Sequence, residues 1–423
     1  PDAEARELAA SLLGGDGAPE RAAQIARESG GVPIFLEQLA RSVWAAPPAA
    51  DRDVDLGAVI RTRVALLPAE ARTLLEALAV AGRPVRQRDA CAAAGVGLQR
   101  RDVLTALQAG QFVRTTGPGP GDLIDAYHAR IRDVVAAGLA PATVKQRHLG
   151  LAVALRDAGA EDPEAVSDHF LGAGEPARAA EFAERAADQA AAAVAFDRAA
   201  RLYRRVLALA PLAPRHWEWQ RKLADALAHA GRGAEAGPAY LALAAASSGP
   251  EQIDLRRRAA HAFLAAGLFE QGYAVVEAVL AAVGTRYPRT PRGRLLALLW
   301  QRARLWARGY RFRCAAGPVA PADRTKLEAY WTAFVAMGNT DNLRALGFAT
   351  RHLRLALRVG DPKHLALGFA GEAFVIGAEP ALRPRARRFL DTAAELAART
   401  PDPYPRALIS VVEPFLTVMQ GRW

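Results

Sequence analysis

The sequence predicts a mainly α fold that carries one small β hairpin and ends in a long α-solenoid. Three observations predict it. Apolar residues recur at helical spacing over most of the 423 residues. The pattern changes to strand character only once, on either side of Gly117-Pro118-Gly119-Pro120-Gly121. Beyond residue 141 the helical segments come in pairs, each spanning about 36 residues.

Residues 2–13 and 19–29 read as two short helices through Leu8, Leu12, Ile25 and Ala26, separated by Gly14-Gly15-Asp16-Gly17. Gly30-Gly31 ends the second. Pro33 opens a third through Ile34, Phe35, Leu36, Leu39 and Val43, because a first helical turn has no use for the N–H that proline lacks. Residues 45–55, with Pro47-Pro48, read as a linker. Helices are expected over 56–67, 68–81, 86–94 and 99–109, then strands over 112–116 and 122–127. Short helices followed by a two-stranded wing is the order of a winged helix.

The clearest repeats pair 178–192 with 196–210, 215–230 with 234–247, and 251–266 with 269–283. Their spacing is close to the tetratricopeptide (TPR) period of about 34 residues. Ala199, Ala200, Ala224, Ala259 and Ala260 allow close helix approach, and Tyr203, Leu227, Phe263 and Tyr273 fill the space between helices. Glycines 174, 231, 267, 309, 338 and 360 mark turns. Less regular helices follow over 294–310, 322–336, 341–359, 362–376, 384–398 and 403–419. The resulting plan is an N-terminal helical segment (1–46), a winged helix (55–140), TPR-like repeats (141–290) and degenerate TPR-like repeats (291–423).

A chain of this length with 51% apolar residues has material for two or three folding units. Its longest apolar run, residues 295–300, falls far short of the roughly 20 residues of a membrane span. Cys91 and Cys314 form no Cys-x-x-Cys pair and match no His spacing, so neither a zinc module nor a disulfide framework is expected, and a reducing, cytoplasmic setting is. The net charge is +11, but only four of the 55 basic residues are Lys. Such Arg and Ala excess is what a GC-rich genome encodes, so the charge alone does not indicate nucleic acid or lipid. The sequence starts at Pro1 without Met and stops at Gly421-Arg422-Trp423, and both ends read as cuts in a longer polypeptide.

No Gly-x-x-x-x-Gly-Lys-Ser/Thr loop is present, nor an apolar strand ending in Asp-Glu, nor the His-Arg-Asp and Asp-Phe-Gly elements of a protein kinase. No catalytic residue, metal ligand or bound cofactor is therefore expected within these residues. Arg100, Arg101 and Arg114 offer a phosphate footprint for a winged helix on DNA, but Asp102, Val103, Leu104 and Leu107 leave few base-reading side chains, so DNA is not the expected partner. Residues 292–313 hold seven arginines without one acid, beside Trp300 and Trp306. A lipid interface would suit that mixture. The expected arrangement is instead a solenoid helix that buries Leu295, Leu299, the Arg302 stem and Trp306, with no membrane contact. His148, His169, His216, His229, His261, His352 and His364 show no i, i+4 pairing and read as ordinary helix residues.

The run Gly30-Gly31-Val32-Pro33-Ile34-Phe35-Leu36-Glu37-Gln38-Leu39, followed by a compact Leu-rich helical segment, a Gly-Pro turn and Ala-rich helical pairs, resembles the C-terminal half of a STAND signalling ATPase. That class includes MalT-like regulators and kinase-linked ATPases with TPR-like repeats. Residues 344–362 and the closing Gly421-Arg422-Trp423 are similar to the repeat region of bacterial serine/threonine kinases joined to such ATPases. The resemblance implies that residues 1–46 are the end of an ATPase lid, that the winged helix is a hinge, and that the solenoid is a sensor for a protein partner or small effector. An upstream ATPase core in cis would hold ATP or ADP. Pro33, in Gly31-Val32-Pro33, would then pack near the adenine ring, and His128 would reach the β-phosphate. Ala129 stands where the family usually has Asp, a departure that bears on that phosphate contact. Two other classes fit the same order of elements: a TPR-type scaffold without a nucleotide link, and a LuxR/MalT-like transcriptional regulator fragment.

Overall fold

Twenty-two α-helices, a 3-10 turn and three short strands make up the described residues of the computed structural model. Those residues are 2–14, 19–44, 55–159, 161–285, 288, 290–315, 317–338 and 341–418. The expected break at 15–17, the linker at 45–54, Met419 and the closing Gly421-Arg422-Trp423 lie outside them. The chain divides into two compact units, residues 1–189 with 205–211 and residues 190–204 with 212–423.

The first unit begins with α1 (Asp2–Leu12), α2 (Pro19–Ser29) and α3 (Pro33–Trp44), each packed on the other two. Then come α4 (Leu56–Ala65), α5 (Ala69–Ala81), β1 (Val85–Arg86), α6 (Gln87–Ala94), α7 (Arg101–Ala109), β2 (Val113–Thr115), β3 (Leu123–Ala126), α8 (Ala129–Ala137), α9 (Pro141–Asp157) and α10 (Pro163–Gly172). Asp55 caps α4 by accepting from the Gly57 and Ala58 N–H groups at 2.8 and 3.1 Å, which satisfies donors that a first turn otherwise leaves unpaired. Along β3, Ile124 and Ala126 point into the core while Leu123 and Asp125 point outward. One apolar cluster joins Ile25, Phe35 and Leu39 to Leu74, Leu78, Leu107, Ile124 and Ile131.

The sheet has three antiparallel strands in the order β1-β3-β2, not the expected two. Val85 pairs with Ile124, and Ile124 pairs with Thr115 on its other side. A helix starting at residue 86 was the sequence expectation, yet Val85 and Arg86 are strand. Two residues are too few to show alternation, and this strand exists only through its partner: the ladder continues as the Gln87 N–H donates to the Asp122 carbonyl at 2.8 Å. Helix α9 packs on α5 and α6, and Arg147 donates to Glu76 at 2.9 Å with both side chains 15% exposed.

Helices α11 (Pro176–Ala192) and α12 (Phe196–Leu209) each contribute residues to both units. The second unit continues with α13 (His216–His229), α14 (Gly233–Ala245), α15 (Gly249–Ala265), α16 (Phe269–Ala282), α17 (Pro291–Arg308), α18 (Pro321–Met337), α19 (Asn342–Val359), α20 (Pro362–Gly377), α21 (Arg383–Ala397) and α22 (Tyr404–Val418). Neighbours α13 to α16 pack in succession, α18 covers α15 and α16, and α17 rests on α19. The predicted small residues Ala199, Ala200, Ala224, Ala259 and Ala260 are buried, as are Tyr203, Leu227 and Phe263. Helix α14 starts at Gly233, where a Cβ would overlap the Ala262 carbonyl oxygen of α15, so glycine sets how close the two helices come. Helix α20 is buried on every side from His364 to Ala373, which explains its weak amphipathic pattern.

The expected buried face of α17 is corrected by the structure. Leu298 and Leu305 are the buried apolar residues of this helix, whereas Leu295, Leu299 and Trp306 are 45%, 55% and 63% exposed. Only the Arg302 side chain, 17% exposed, lies inward as expected. Apolar residues occupy two faces of α17, and periodicity cannot choose between them. The choice is made by Glu372 on α20, which receives two hydrogen bonds from Arg302 at 2.7 and 2.9 Å.

Candidate functional site

Helix α3 follows two glycines with positive φ, Gly30 at 60° and Gly31 at 75°, a conformation that side-chain-bearing residues rarely adopt. Its first turn closes as the Phe35 and Leu36 N–H groups donate to the Val32 carbonyl. Pro33 is exposed at this start, and Phe35, two residues later, is buried. Strand β3 ends where the Tyr127 N–H donates to the Phe112 carbonyl at 2.8 Å. His128 then takes an extended conformation and caps α8, its Nδ1 accepting from the Arg130 N–H at 3.1 Å. An accepting Nδ1 carries no hydrogen, so the donor of the neutral ring is Nε2.

The Phe35 and His128 rings meet edge to face, with centroids 5.0 Å apart and planes at 79°. Phe35 thereby links the two site residues predicted from the sequence, with Pro33 at the start of its helix and His128 against its ring. The two helix N-termini are thus joined by one aromatic contact. Ala129, exposed at the first position of α8, adds no polar group.

The arginines of the DNA footprint are largely engaged by acids. Arg100 meets Glu70 at 2.6 Å and Asp102 at 2.9 Å, and Arg114 meets Asp125 at 3.2 Å. Among the described residues no group of three or more His, Cys, Asp or Glu is placed to hold a metal ion.

Four of the histidines read from the sequence as ordinary helix residues form two pairs, in which His169, His352 and His364 are buried and His148 is half-buried. The Nδ1 atoms of His148 and His169 lie 3.0 Å apart. Burial, His148 and Arg83 push His169 down to about 4. His352 is fully buried, and its Nε2 lies 3.1 Å from Nδ1 of His364, whose Nε2 faces Glu328 Oε1 at 3.4 Å. One proton arrangement satisfies this row: His352 Nε2–H donates to His364 Nδ1, and His364 Nε2–H donates to Glu328. It leaves His352 Nδ1 without a hydrogen, consistent with its having no hydrogen-bond partner. Burial favours the neutral acid in Glu328, but the His364 hydrogen bond and the charges of Arg257 and Lys363 outweigh it and hold the carboxyl well below its usual range. Residues 352 and 364 sit on either side of the Gly360-Asp361-Pro362 break, so a search at helical spacing misses them.

Arginines dominate the end of α17. Arg308, Arg311, Arg313 and Arg358 line an open cleft of about 700 Å³ with Tyr310 and Phe312. Arg308 donates to the carbonyls of Gly309, Arg311 and Leu357. The Arg354 guanidinium lies below its ordinary value because of burial and the neighbouring charges of Arg304, Arg351 and Arg308. The chain crosses close to α19 here, since a Cβ on Gly360 would overlap the Arg313 carbonyl.

No protein-family model matches the chain, and no curated protein does. Among solved structures it is similar to a Signal Transduction ATPase with Numerous Domains (STAND) protein with a tetratricopeptide repeat sensor from Pyrococcus horikoshii. That likeness has 12% identity and a TM-score of 0.41, and it covers 99% of this chain and 56% of that one. The chain thus spans just over half the length of that protein. It is also similar to a Rap protein complexed with competence and sporulation factor, at 11% identity, 98% of each chain and a TM-score of 0.28. No helix among the described residues is long and apolar enough to cross a membrane.

Proposed function

We propose that this chain is the non-catalytic regulatory and sensor region of a STAND signalling ATPase, attached to a serine/threonine kinase and working in the cytoplasm. Its helical repeats bind a protein partner or small effector. The segment through α8 acts as a winged-helix hinge that couples this binding to a nucleotide held by an upstream ATPase core in cis. The supporting observation is the Phe35–His128 contact, which ties the start of α3 to the start of α8. A shift of either helix is felt by the other through one packed ring pair.

ATP or ADP would supply the two chemical states between which such a region switches. The residues present fit this in part. His128 has Nε2 as its remaining donor, and the N-terminus of α8 is a favourable place for negative charge. Pro33 is exposed where an adenine would need an apolar wall. Ala129 offers neither charge nor donor side chain.

The test uses the parent protein with its upstream core, following release of a fluorescent ADP analogue. H128A and F35L are expected to speed release by about tenfold each, the equivalent of about 1.4 kcal/mol of lost coupling. Unchanged release in both variants, or an upstream sequence without a phosphate-binding loop, would leave a repeat scaffold with no nucleotide link.

A further inference from the structure

We propose that the outward face of α17 is a docking ridge for an anionic phospholipid surface, independently of any nucleotide coupling. Leu296, Leu299, Trp300 and Trp306 are 67%, 55%, 62% and 63% exposed. Their spacing puts them along one side of the helix. Large apolar groups in that density are unusual on a surface that meets only water.

The ridge cannot turn inward. The opposite side of α17 is anchored by buried Leu298 and Leu305 and by Arg302, which holds the buried Glu372 carboxylate at 2.7 Å. Rotating the helix would leave that carboxylate buried without its cation, a strongly unfavourable state.

The charge around the ridge specifies the sign of the partner. Arg292, Arg304, Arg308, Arg311 and Arg313 are exposed on α17 and the segment after it, a stretch with no Asp, Glu or Lys, while Arg294 and Arg302 are paired with Asp341 and Glu372. Beside this stretch, burial and the charges of Arg304, Arg351 and Arg308 hold the Arg354 guanidinium below its ordinary value, so positive groups are gathered closely here. Arg304 lies over the Trp300 ring, its guanidinium carbon 5.9 Å from the centroid, so cation and indole present themselves together. Arginine stems lie along apolar surface while their heads reach anionic groups, and Trp partitions to the polar–apolar boundary of a bilayer.

A lipid surface matches this chemistry better than the other anionic partners. The exposed leucines beside the tryptophans favour an apolar interior over stacked bases. A protein partner is normally held by anchors in a well-packed pocket, whereas these side chains stand out of the surface. A fluid interface conforms around a ridge, and an amphipathic helix of this composition lies in its plane.

The test is flotation of the full chain with vesicles of phosphatidylcholine containing about one-third phosphatidylserine, against phosphatidylcholine alone. Binding is expected only to the anionic vesicles, weakening as salt rises. W300S/W306S should lose at least about tenfold in affinity, and R304Q/R311Q about fivefold for each charge removed. All four positions are exposed, so circular dichroism and the thermal midpoint should match the parent. Absence of binding to anionic vesicles, or binding that W300S/W306S leaves intact, overturns the proposal. So does self-association abolished by W300S/W306S, or capture of oligonucleotide or polyglutamate in preference to vesicles.

Discussion

The Phe35 and His128 rings pack edge to face, 5.0 Å between centroids, although they lie 93 positions apart in sequence. Phe35 is 1% exposed, and His128 caps the next helix through its Nδ1. The pair therefore combines core packing with a helix cap.

A double-mutant cycle with F35L and H128A, followed by urea unfolding, should show a coupling of about 0.5–1.5 kcal/mol for the aromatic contact. H128A alone should cost about 1 kcal/mol through loss of the cap. Additive effects would mean that the rings adjoin without stabilising each other.

Acid should weaken the fold through buried His169 and His352. His169 is pushed down to about 4 from 6.5, and fully buried His352 lies well below 6.5 because of burial and His364. A histidine with a lowered folded pKa binds its proton more readily when unfolded. Its contribution is therefore complete above pH 6.5 and is lost as pH falls toward the folded value. Glu328, the acid facing His364, shifts stability in the same direction at lower pH. The urea midpoint should drop between pH 7.5 and 5, and H169N or H352N should shrink that drop even if each lowers both midpoints.

Removing Arg302 should be among the costlier single changes in the second unit. Glu372 is held by Arg302 and by the Tyr310 hydroxyl at 2.8 Å. R302M leaves a buried carboxylate without its cation, for a loss of about 3–5 kcal/mol by thermal or urea unfolding. R302M/E372M should be less damaging than R302M alone, because the unpaired charge is gone.

Replacing Gly233 should separate α14 from α15. A methyl group there would overlap the Ala262 carbonyl, which belongs to backbone and cannot swing aside. G233A should cost about 1–3 kcal/mol, whereas G231A should be costly for a different reason, its φ of 75°. Calorimetry separates overlap from backbone strain: G231N should recover part of the G231A loss, since Asn tolerates a positive φ, whereas G233N should cost at least as much as G233A.

The helical architecture was legible because its signals are local. Period, proline at first turns and glycine at ends each act within one or two turns. Strand β1 was not, since two residues carry no period and gain their conformation from Ile124 across the sheet. The histidine pairs were not either, because each joins different helices. Pro33 and His128 could be singled out by motif, but Phe35 becomes the group between them only through the packing of α3 against the start of α8.

By itself the sequence determined that this protein is mainly α, that its later helices form close-packed pairs, and that residues 292–313 hold seven arginines and no acid of their own. Local propensity and composition suffice for such statements. Tertiary structure alone decided which face of α17 is buried. Two apolar faces compete on that helix, and the outcome turns on one distant carboxylate, Glu372, whose burial requires Arg302 to point inward and leaves Leu299, Trp300 and Trp306 in the open.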